Sequence, residues 1–318
     1  MRTRAAAVAA ALTLLAVAGC SGDSSRRPVS GPSAGAATAG PGTAADTSCD
    51  PRASRRPSGA LPKPGAMPAG SHMRAIQDRG RLIIGTSQDT LLFSSRNPFT
   101  GKIEGFDVDM GRQIAEAIFG NPDKIQIRVI GYDERVEAVD AENPVDIVAD
   151  TMTATCSRWK DVDFSSIYYE AGQKVLVSST SDARSLDDLA GRSVCAAEGS
   201  TSFDTIAAAR SKPIAVARPG FGACLVAFQR NEVDAISTDD TILAGLAAQD
   251  PYAKVVGLPL TQEPYGLAIS NKHPEFTRFV NAVLEKNRAN GTWKRTYERW
   301  LGDVGPAAPR PPVARYRD

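Results

Sequence analysis

Short apolar runs alternate along the chain with longer stretches in which apolar residues recur every three or four positions. The runs at 81–86, 124–129, 145–149 and 173–178 have the length of buried strands, whereas the spacing over 105–120 places the apolar residues on one face of a helix. A second helix is predicted over 133–141. Strands that alternate with helices are typical of an α/β fold with mainly parallel sheets. The pattern therefore predicts a first α/β unit from about residue 73.

A second unit of the same type is predicted after Thr180. Its strands and helices follow one another to residue 258, and a further strand (265–270) and two helices (274–286 and 292–301) close the chain. We assign these last elements to the first unit, whose sheet otherwise lacks its closing members. The result is lobe 1 (73–178 and 265–303), lobe 2 (179–264) and two crossing segments, near 177–181 and 259–265, that form a hinge.

The N-terminus has the pattern of an exported lipoprotein. Arg2 and Arg4 precede an apolar stretch over 5–18 that is too short to span a bilayer, which indicates a signal peptide over residues 1–19. It ends in Val-Ala-Gly-Cys20, which resembles a bacterial lipobox and implies that Cys20 is lipidated. The protein is then anchored by lipid to the extracytoplasmic face of the cell membrane. The alternative is ordinary secretion with an incidental Cys20.

Two further segments are too poor in bulky apolar residues to fold alone. Residues 20–72 are rich in Ser, Gly, Pro and Ala and are predicted to form a disordered tether. Residues 304–318 are predicted to form a loose Pro-rich tail. The folded part of the chain is therefore expected to be smaller than its 318 residues.

Composition and motifs exclude several functional classes. The formal net charge is +1 with mixed signs along the chain, so there is no electrostatic footprint for nucleic acid. Only two His residues occur, and neither has the spacing of a metal ligand. Because the nucleophile elbow, the Walker loop and the dinucleotide fingerprint are also missing, we expect no cofactor, no metal and no enzymatic activity.

Polar residues that follow the strand at 145–149 are the first candidate ligand site. Thr151, Thr153, Thr155 and Arg158 come at its carboxyl end, where open α/β sheets bind ligands. The planar fork of Arg can donate two parallel hydrogen bonds to a carboxylate. Arg158 is therefore predicted to hold a ligand carboxylate; the alternative is a surface ion pair with Asp161 or Asp163.

The second unit repeats this arrangement. The loop 198–202 opens a predicted helix, whose free N–H groups form an anion site, although a simple Ser/Thr N-cap explains the same residues. Asp239 follows the strand at 233–237, again at its carboxyl end. In contrast, Asp107 and Asp109 lie in the first turn of the 105–120 helix, where carboxylates favour the helix dipole, and capping explains both.

Residues 105–118, GFDVDMGRQIAEAI, resemble the signature of the family-3 extracellular solute-binding proteins. The similarity covers about residues 76–301 and continues through TMTATCSRWKDVDFSSIYY, VCAAEGSTSFD and NEVDAISTDDTILAGLA; with CDPRAS and EPYGLAI it is closest to the glutamine- and glutamate-binding lipoproteins of actinobacterial importers. The resemblance implies the two-lobed type II periplasmic-binding-protein-like fold. It also implies a monomer that closes on a free amino acid and delivers it to an ABC permease.

The family pattern assigns roles to individual residues. Arg158 matches the residue that clamps the α-carboxylate of the ligand, Thr153 the Thr that assists it, and Thr151 a position whose backbone takes part. In lobe 2, Thr201 and Ser202 match the helix start that donates N–H groups to the same carboxylate.

Two further matches complete the predicted site. Asp239 matches the acid that receives the α-ammonium, and Phe93 lies near the aromatic residue that often covers the ligand. The chain departs from the family where Cys156-Ser157 replaces the usual Pro-Glu and where a Lys found near Ala197 in some relatives is missing. The missing Lys leaves the side-chain specificity open.

The loop after the first strand is expected to face the side chain of the ligand. Arg96 could hold a second carboxylate, which favours glutamate or aspartate, whereas Gln88 could bind an amide, which favours glutamine or asparagine. We favour the acidic pair. Arg96 could equally be a solvated loop residue.

Four cysteines follow Cys20, and an exported protein permits disulfides. Cys195 ends a strand and Cys224 begins a helix of the same lobe, so we pair them, which leaves Cys49 with Cys156. Four cysteines allow three connectivities. A catalytic thiol at Cys156 is the rival interpretation, but no His lies in a partner motif.

Delivery of a polar amino acid to a permease is thus the leading function. A receptor subunit that reports the ligand to a membrane sensor protein is a second one, because docking surfaces leave no motif. A dehydratase-like enzyme on the same fold is a third.

Overall fold

The computed structural model describes residues 49–304 and 309–317, so the predicted signal peptide and Cys20 lie outside it. Seven helices occur in the described residues: α1 His72–Arg79, α2 Phe106–Phe119, α3 Thr201–Ala208, α4 Phe221–Gln229, α5 Asp240–Ala247, α6 Pro274–Ala289 and α7 Thr292–Leu301. Single 3₁₀ turns lie at Glu137–Val139, Arg158–Lys160 and Leu186–Leu189. Within the described ranges, no helix combines the length and the apolar content needed to cross a bilayer.

The described strands are, in chain order, β1 Ala53–Ser54, β2 Leu82–Thr86, β3 Asp89–Thr90, β4 Ser94–Arg96, β5 Ile103–Glu104, β6 Ile125–Val129, β7 Ile147–Val148, β8 Val162–Phe164, β9 Tyr169–Ala171, β10 Gln173–Ser178, β11 Ser193–Ala197, β12 Ile214–Arg218, β13 Ala235–Asp239, β14 Ala253–Val256, β15 Glu263–Tyr265, β16 Ala268–Ser270 and β17 Arg315–Tyr316. Strands β3, β4 and β5 form a small antiparallel sheet that the sequence pattern did not predict.

Two five-stranded sheets with flanking helices confirm the predicted two-lobed α/β fold. The sheet of lobe 1 has the order β6-β2-β7-β16-β8, in which β2, β6 and β7 are parallel and β16 is antiparallel. Its largest hydrophobic cluster joins helices α2, α6 and α7 to the sheet, as expected from the apolar face of α2. Strand β16 and helices α6 and α7 therefore return to lobe 1, as the sequence indicated.

The sheet of lobe 2 has the order β12-β11-β13-β10-β14. Strands β11, β12 and β13 are parallel, while β10 pairs antiparallel with both β13 and β14. The predicted boundary differs here, because β10 (Gln173–Ser178) belongs to lobe 2 and not to lobe 1. The sequence pattern of a strand does not reveal which strands it will pair with. In the structure, both edges of β10 form hydrogen bonds to strands of the lobe 2 sheet.

The crossing segments are two paired strands. Strand β15 (Glu263–Tyr265) pairs antiparallel with β9 (Tyr169–Ala171). These two strands connect the lobes. The second crossing lies within the predicted range of 259–265, whereas the first precedes the predicted 177–181 by several residues. This shift follows directly from the transfer of β10 to lobe 2.

The N-terminal segment, residues 49–72, is packed on lobe 1, in contrast to the predicted tether. Strand β1 pairs in parallel with β17, so part of the predicted loose tail is also ordered. Asn281 donates to the Ser54 hydroxyl and to the Arg55 carbonyl, and Met67 is buried in the core of the lobe. Composition missed this segment because hydrogen bonds and one disulfide hold it, with few apolar contacts.

Both proposed disulfide pairs are present in the structure. Cys195–Cys224 joins β11 to α4 within lobe 2, with a Cα–Cα distance of 5.7 Å. Cys49–Cys156 joins the N-terminal segment to the loop before Arg158, with a Cα–Cα distance of 5.8 Å. A free thiol at Cys156 is thereby ruled out in this structure.

Candidate ligand-binding site

A small cavity of about 10 Å³ lies between the two lobes. Its lining comes from both of them: Tyr132, Arg135, Thr151, Thr153, Ser200, Thr201, Ser202, Phe221, Thr238, Asp239 and Ile242. A larger surface cavity of about 740 Å³ lies on lobe 2 near Arg192 and Tyr252. We assign the site to the small cavity because unpartnered buried polar atoms of Thr151 and Asp239 line it, whereas none lines the larger one among the described residues.

Arg158 begins a 3₁₀ turn and reaches across the cleft. Its guanidinium donates to the Thr153 carbonyl at 2.8 Å and to the Gly199 carbonyl of lobe 2 at 3.0 Å. Among the described residues no carboxylate lies within 4 Å of it, and Asp163 pairs with Arg55. Burial, together with the charge of a second guanidinium nearby, lowers the pKa of Arg158 to about 9. The alternative surface ion pair is therefore not present.

The second guanidinium belongs to Arg135, which sequence reasoning missed. Arg135 is only 3% exposed and donates to the carbonyls of Tyr132, Asp150 and Gly199, the last at 3.5 Å. Its guanidinium also stacks 4.5 Å from the centre of the Tyr132 ring. Like Arg158 it has no carboxylate within 4 Å in the described chain. Nothing in its sequence surroundings distinguishes it from a solvent-facing helical Arg.

Asp239 is the acid that faces these cations from lobe 2. It ends β13, is 4% exposed, and its Oδ2 accepts a hydrogen bond from the Tyr265 hydroxyl. Its Oδ1 is buried without a hydrogen-bond partner. Burial and the charge of Glu263 raise the pKa of Asp239 well above its usual range. A cation beside Oδ1 would restore the ionised carboxylate, since an opposite charge lowers the pKa of an acid.

The start of α3 supplies N–H groups to the same cavity. Ser200 is the N-cap, and its side chain accepts from the Phe203 N–H. No acceptor for the N–H groups of Thr201 and Ser202 is found in the described part of the chain. Both sequence interpretations therefore apply, because Ser200 caps the helix and the next two N–H groups remain open to an anion.

Thr151 has a strained backbone at the edge of the cavity. Its φ is 44°, in the left-handed region that β-branched residues rarely adopt. The Thr151 N–H donates to Asp107 Oδ2 at 2.6 Å, and Tyr168 donates to the other oxygen of Asp107. Asp107 is therefore not the helix cap that the sequence suggested; it is fully buried and holds Thr151 in place. Such strain is characteristic of functional sites.

The hydroxyl of Thr153 faces a carboxylate that the sequence did not indicate. Thr153 Oγ1 donates to Glu263 Oε2 at 2.6 Å, and Thr201 Oγ1 donates to the same oxygen at 2.9 Å. Glu263 is 3% exposed and lies on the crossing strand β15. The hydroxyl of Ser202 donates to Thr238.

Four predicted residues do not line the cavity: Arg158 lies beside it, bonded to the Gly199 carbonyl, and the other three lie farther away. Phe93 is fully buried in the core of lobe 1 against Phe106, so it cannot cover a ligand. Tyr132 and Phe221 are the aromatic residues that line the cavity in the described chain. Arg96 and Gln88 are exposed and hydrogen-bond to each other. Because the two side chains bond to each other on the surface, neither lines the cavity.

The arrangement suits a ligand that carries charges of both signs. Two cations and two open N–H groups lie opposite a buried acid with one free oxygen, and the groups come from both lobes. Taking opposite charges out of water is costly unless each meets a partner. The cavity has room for about one water, so a larger ligand enters only when the lobes separate.

Comparison with known proteins identifies the family of this chain. Residues 82–303 match the family model of the bacterial extracellular solute-binding proteins, family 3. The chain is 34% identical over 230 residues to the ABC transporter glutamine-binding protein GlnH of Bacillus subtilis (strain 168), which covers 72% of this chain and 84% of that protein. It is 29% identical over 247 residues to the glutamate-binding protein GluB of Corynebacterium efficiens, covering 74% and 83%.

Solved structures give the same result. An ancestral arginine-binding protein bound to glutamine superimposes with a TM-score of 0.66 at 31% identity, covering 70% of this chain and 99% of that one. The cysteine-binding protein of Campylobacter jejuni shares the fold, with a TM-score of 0.70 at 23% identity and coverage of 74% and 97%. The chain therefore belongs to the bacterial extracellular solute-binding proteins of family 3.

Proposed function

We propose that this protein closes on an acidic amino acid, L-glutamate or L-aspartate, and delivers it to an ABC permease. The observation that carries the proposal is the pair Arg135 and Arg158: Arg135 is buried and lines the cavity, Arg158 is half-buried beside it, and neither guanidinium has a carboxylate within 4 Å in the described chain. An α-carboxylate needs one of them. The second cation favours a ligand with a second carboxylate over its amide, because burying an unpaired charge is costly.

Each charged group of the ligand has a partner in this arrangement. Arg158 and the open N–H groups of Thr201 and Ser202 hold the α-carboxylate, and Arg135 holds the side-chain carboxylate. The free Oδ1 of Asp239 accepts from the α-ammonium. Charge-assisted hydrogen bonds contribute about 1.5–3 kcal/mol each. Three or four of them, less the cost of association, are consistent with micromolar binding or tighter.

Closure follows from the origin of these groups. Arg158 and Arg135 belong to lobe 1, whereas Asp239 and the start of α3 belong to lobe 2. A ligand that contacts both lobes is bound more tightly by the closed form and so shifts the population towards it. A permease can then distinguish the loaded from the empty protein by shape.

The test is a calorimetric titration with glutamate, aspartate, glutamine and asparagine. We expect the acids to bind more tightly than the amides, and Arg158→Ala and Asp239→Ala to abolish detectable binding. Arg135→Met should weaken the affinity for glutamate by about tenfold or more and change the affinity for glutamine little, because only the side-chain carboxylate loses its partner.

Arg96→Ala is the matched control, since it removes an exposed guanidinium outside the cavity. It should bind glutamate as the wild type does. Tighter binding of glutamine than of glutamate by the wild type would contradict the acidic ligand. Wild-type affinity in the Arg158 or Asp239 variant would contradict the assignment of the whole site.

Anchoring by lipid is the second part of the proposal. Val-Ala-Gly-Cys20 at the end of the apolar N-terminal stretch supports it. More than one acyl chain gives stable attachment to the extracytoplasmic face of the membrane. Globomycin, which blocks lipoprotein signal peptidase, should cause the precursor to accumulate, and unchanged processing would count against lipidation of Cys20.

A further inference from the structure

Glu263 lies at the junction of the two lobes and the hinge. It is carried by β15, one of the two crossing strands, and is 3% exposed. Its Oε2 accepts from Thr153 of lobe 1 and Thr201 of lobe 2, and its Oε1 accepts from Thr261 at 2.5 Å. No Lys or Arg of the described chain lies within 4 Å of this carboxylate. Hydroxyl groups therefore make all the hydrogen bonds of this buried carboxylate in the described chain, with the guanidinium of Arg158 farther than 4 Å away.

The chemistry of a hydroxyl group makes this contact directional. A hydroxyl has one proton and two lone pairs. An ionised carboxylate can only accept, so the protons of Thr153 and Thr201 both point at Glu263. Towards the cavity, these two hydroxyls can then act only as hydrogen-bond acceptors. They cannot donate to the carboxylate of a ligand while Glu263 holds them.

We propose that Glu263 is a positioning residue that fixes both threonine hydroxyls as acceptors and so defines the ammonium side of the ligand site. The two hydroxyl oxygens are neighbours, because both lie within 3 Å of one Glu263 oxygen. Together with the free Oδ1 of Asp239 they provide three acceptors, which matches the three N–H donors of an α-ammonium. Thr153 therefore serves the cationic end of the ligand.

The hydrogen bonds of Thr153 and Thr201 to Glu263 also depend on closure of the lobes. Thr153 and Thr201 belong to different lobes, so one oxygen of Glu263 binds both only when the lobes are closed. The acceptor set is then complete only in the closed form. This inference rests on the proposed function, in that an amino acid is the ligand, but it does not depend on which amino acid is bound.

The experiment compares Glu263→Met with Glu263→Gln in calorimetric titrations with L-glutamate. Met is apolar and leaves both hydroxyl protons free, so affinity should fall by about tenfold or more. Gln can place its amide oxygen at the Oε2 position and its amide nitrogen against Thr261, so affinity should stay within about threefold. Equal losses in both variants would mean that the charge alone matters, and no loss in either would also overturn the proposal.

A variant cycle tests whether Glu263 acts through the two hydroxyls. In a Thr153→Val, Thr201→Val background, Glu263→Met should cause less than about a threefold further loss, because the groups it positions are gone. A full tenfold loss in that background would overturn the proposal. Should Glu263→Met fail to fold in a thermal melt, Thr153→Val and Thr201→Val carry the test alone, and wild-type affinity in both would refute it.

The outcomes also separate this inference from the proposed function. If the wild type binds none of the four amino acids, the proposed function fails. If the wild type binds L-glutamate and the Glu263 variants bind it equally well, the proposed function stands and the role of Glu263 is wrong.

Discussion

Single residues characterise the candidate site, and each is recognisable by what it lacks in the described chain. Arg135 and Arg158 lack a carboxylate, and Asp239 has one oxygen without a partner. Glu263 is the contrasting case, because all its hydrogen bonds are made by hydroxyl groups. Buried charges in proteins are normally paired, so buried Arg135 and Asp239, with half-buried Arg158 beside them, support the proposed ligand with charges of both signs.

The pH dependence of stability is predicted at the same scale. Burial raises the pKa of Asp107 from 3.8 to about 7, although bonds from Tyr168 and Thr151 oppose the shift. The folded protein therefore binds more protons than the unfolded chain between pH 4 and 7. The free energy of unfolding should then fall as pH rises through this window, by roughly 2–4 kcal/mol from this group.

The measurement is urea unfolding of the wild type and of Asp107→Asn at pH 5 and pH 8. Asp150 and Asp239 also have raised pKa values from burial, so both proteins should lose stability as pH rises. The loss should be smaller in the variant, which has no proton to release at position 107. Parallel losses in the two proteins would show that Asp107 does not titrate in this range.

Individual elements followed their sequence patterns closely, whereas their pairing did not. The predicted helix at 105–120 is α2 within one residue at each end, and Gln173–Ser178 is a strand with the predicted bounds. That strand nevertheless joins the other lobe. The predicted helix at 133–141 is reduced to a 3₁₀ turn, Glu137–Val139, in a region where Arg135 turns inward to bind backbone carbonyls. Tertiary contacts decided both cases.

The N-terminal segment illustrates the same point for sequence composition. It is poor in apolar residues, yet it packs beside the loop that carries Arg158. Trp159 donates to the Pro51 carbonyl, and Cys49 forms a disulfide with Cys156. Cys156 is two residues from Arg158. Hydrogen bonds and a disulfide do not require apolar residues, so composition could not predict that this segment supports the loop of Arg158.

At the scale of the whole molecule, closure also depends on contacts outside the cavity. Helix α4 has no side-chain cap of its own, since its N-cap is Gly220. The cap comes from lobe 1, where Asp89 Oδ2 accepts the Gly222 N–H at 3.0 Å. A Cβ at Gly222 would lie 2.8 Å from that oxygen. The absence of a side chain at this position lets the lobes approach.

We therefore predict that Asp89→Ala and Gly222→Ala weaken the closed form without touching the ligand. Affinity for glutamate and aspartate should fall equally, by about threefold to tenfold, because one hydrogen bond across the lobes is worth about 0.5–1.5 kcal/mol. Calorimetry measures the affinity, and X-ray scattering measures how much ligand is needed for compaction.

Asp187→Ala is the control for the loss of a carboxylate, since Asp187 is exposed on lobe 2 away from the cleft. It should leave both measurements unchanged. Wild-type affinity in both the Asp89 and the Gly222 variants would show that this contact does not contribute to closure.

The sequence alone determined the class of fold, most strands and helices, and the position of Asp239 at the end of a strand and of Arg158 in the segment that follows one. Those features depend on local periodicity and on residue type, which can be read along the chain. Tertiary structure alone decided that β10 joins lobe 2, that Phe93 lies in the core, and that Arg135 and Glu263 face the cleft. Contacts between residues far apart in sequence set burial and the direction of hydrogen bonds, and local patterns carry no information about them.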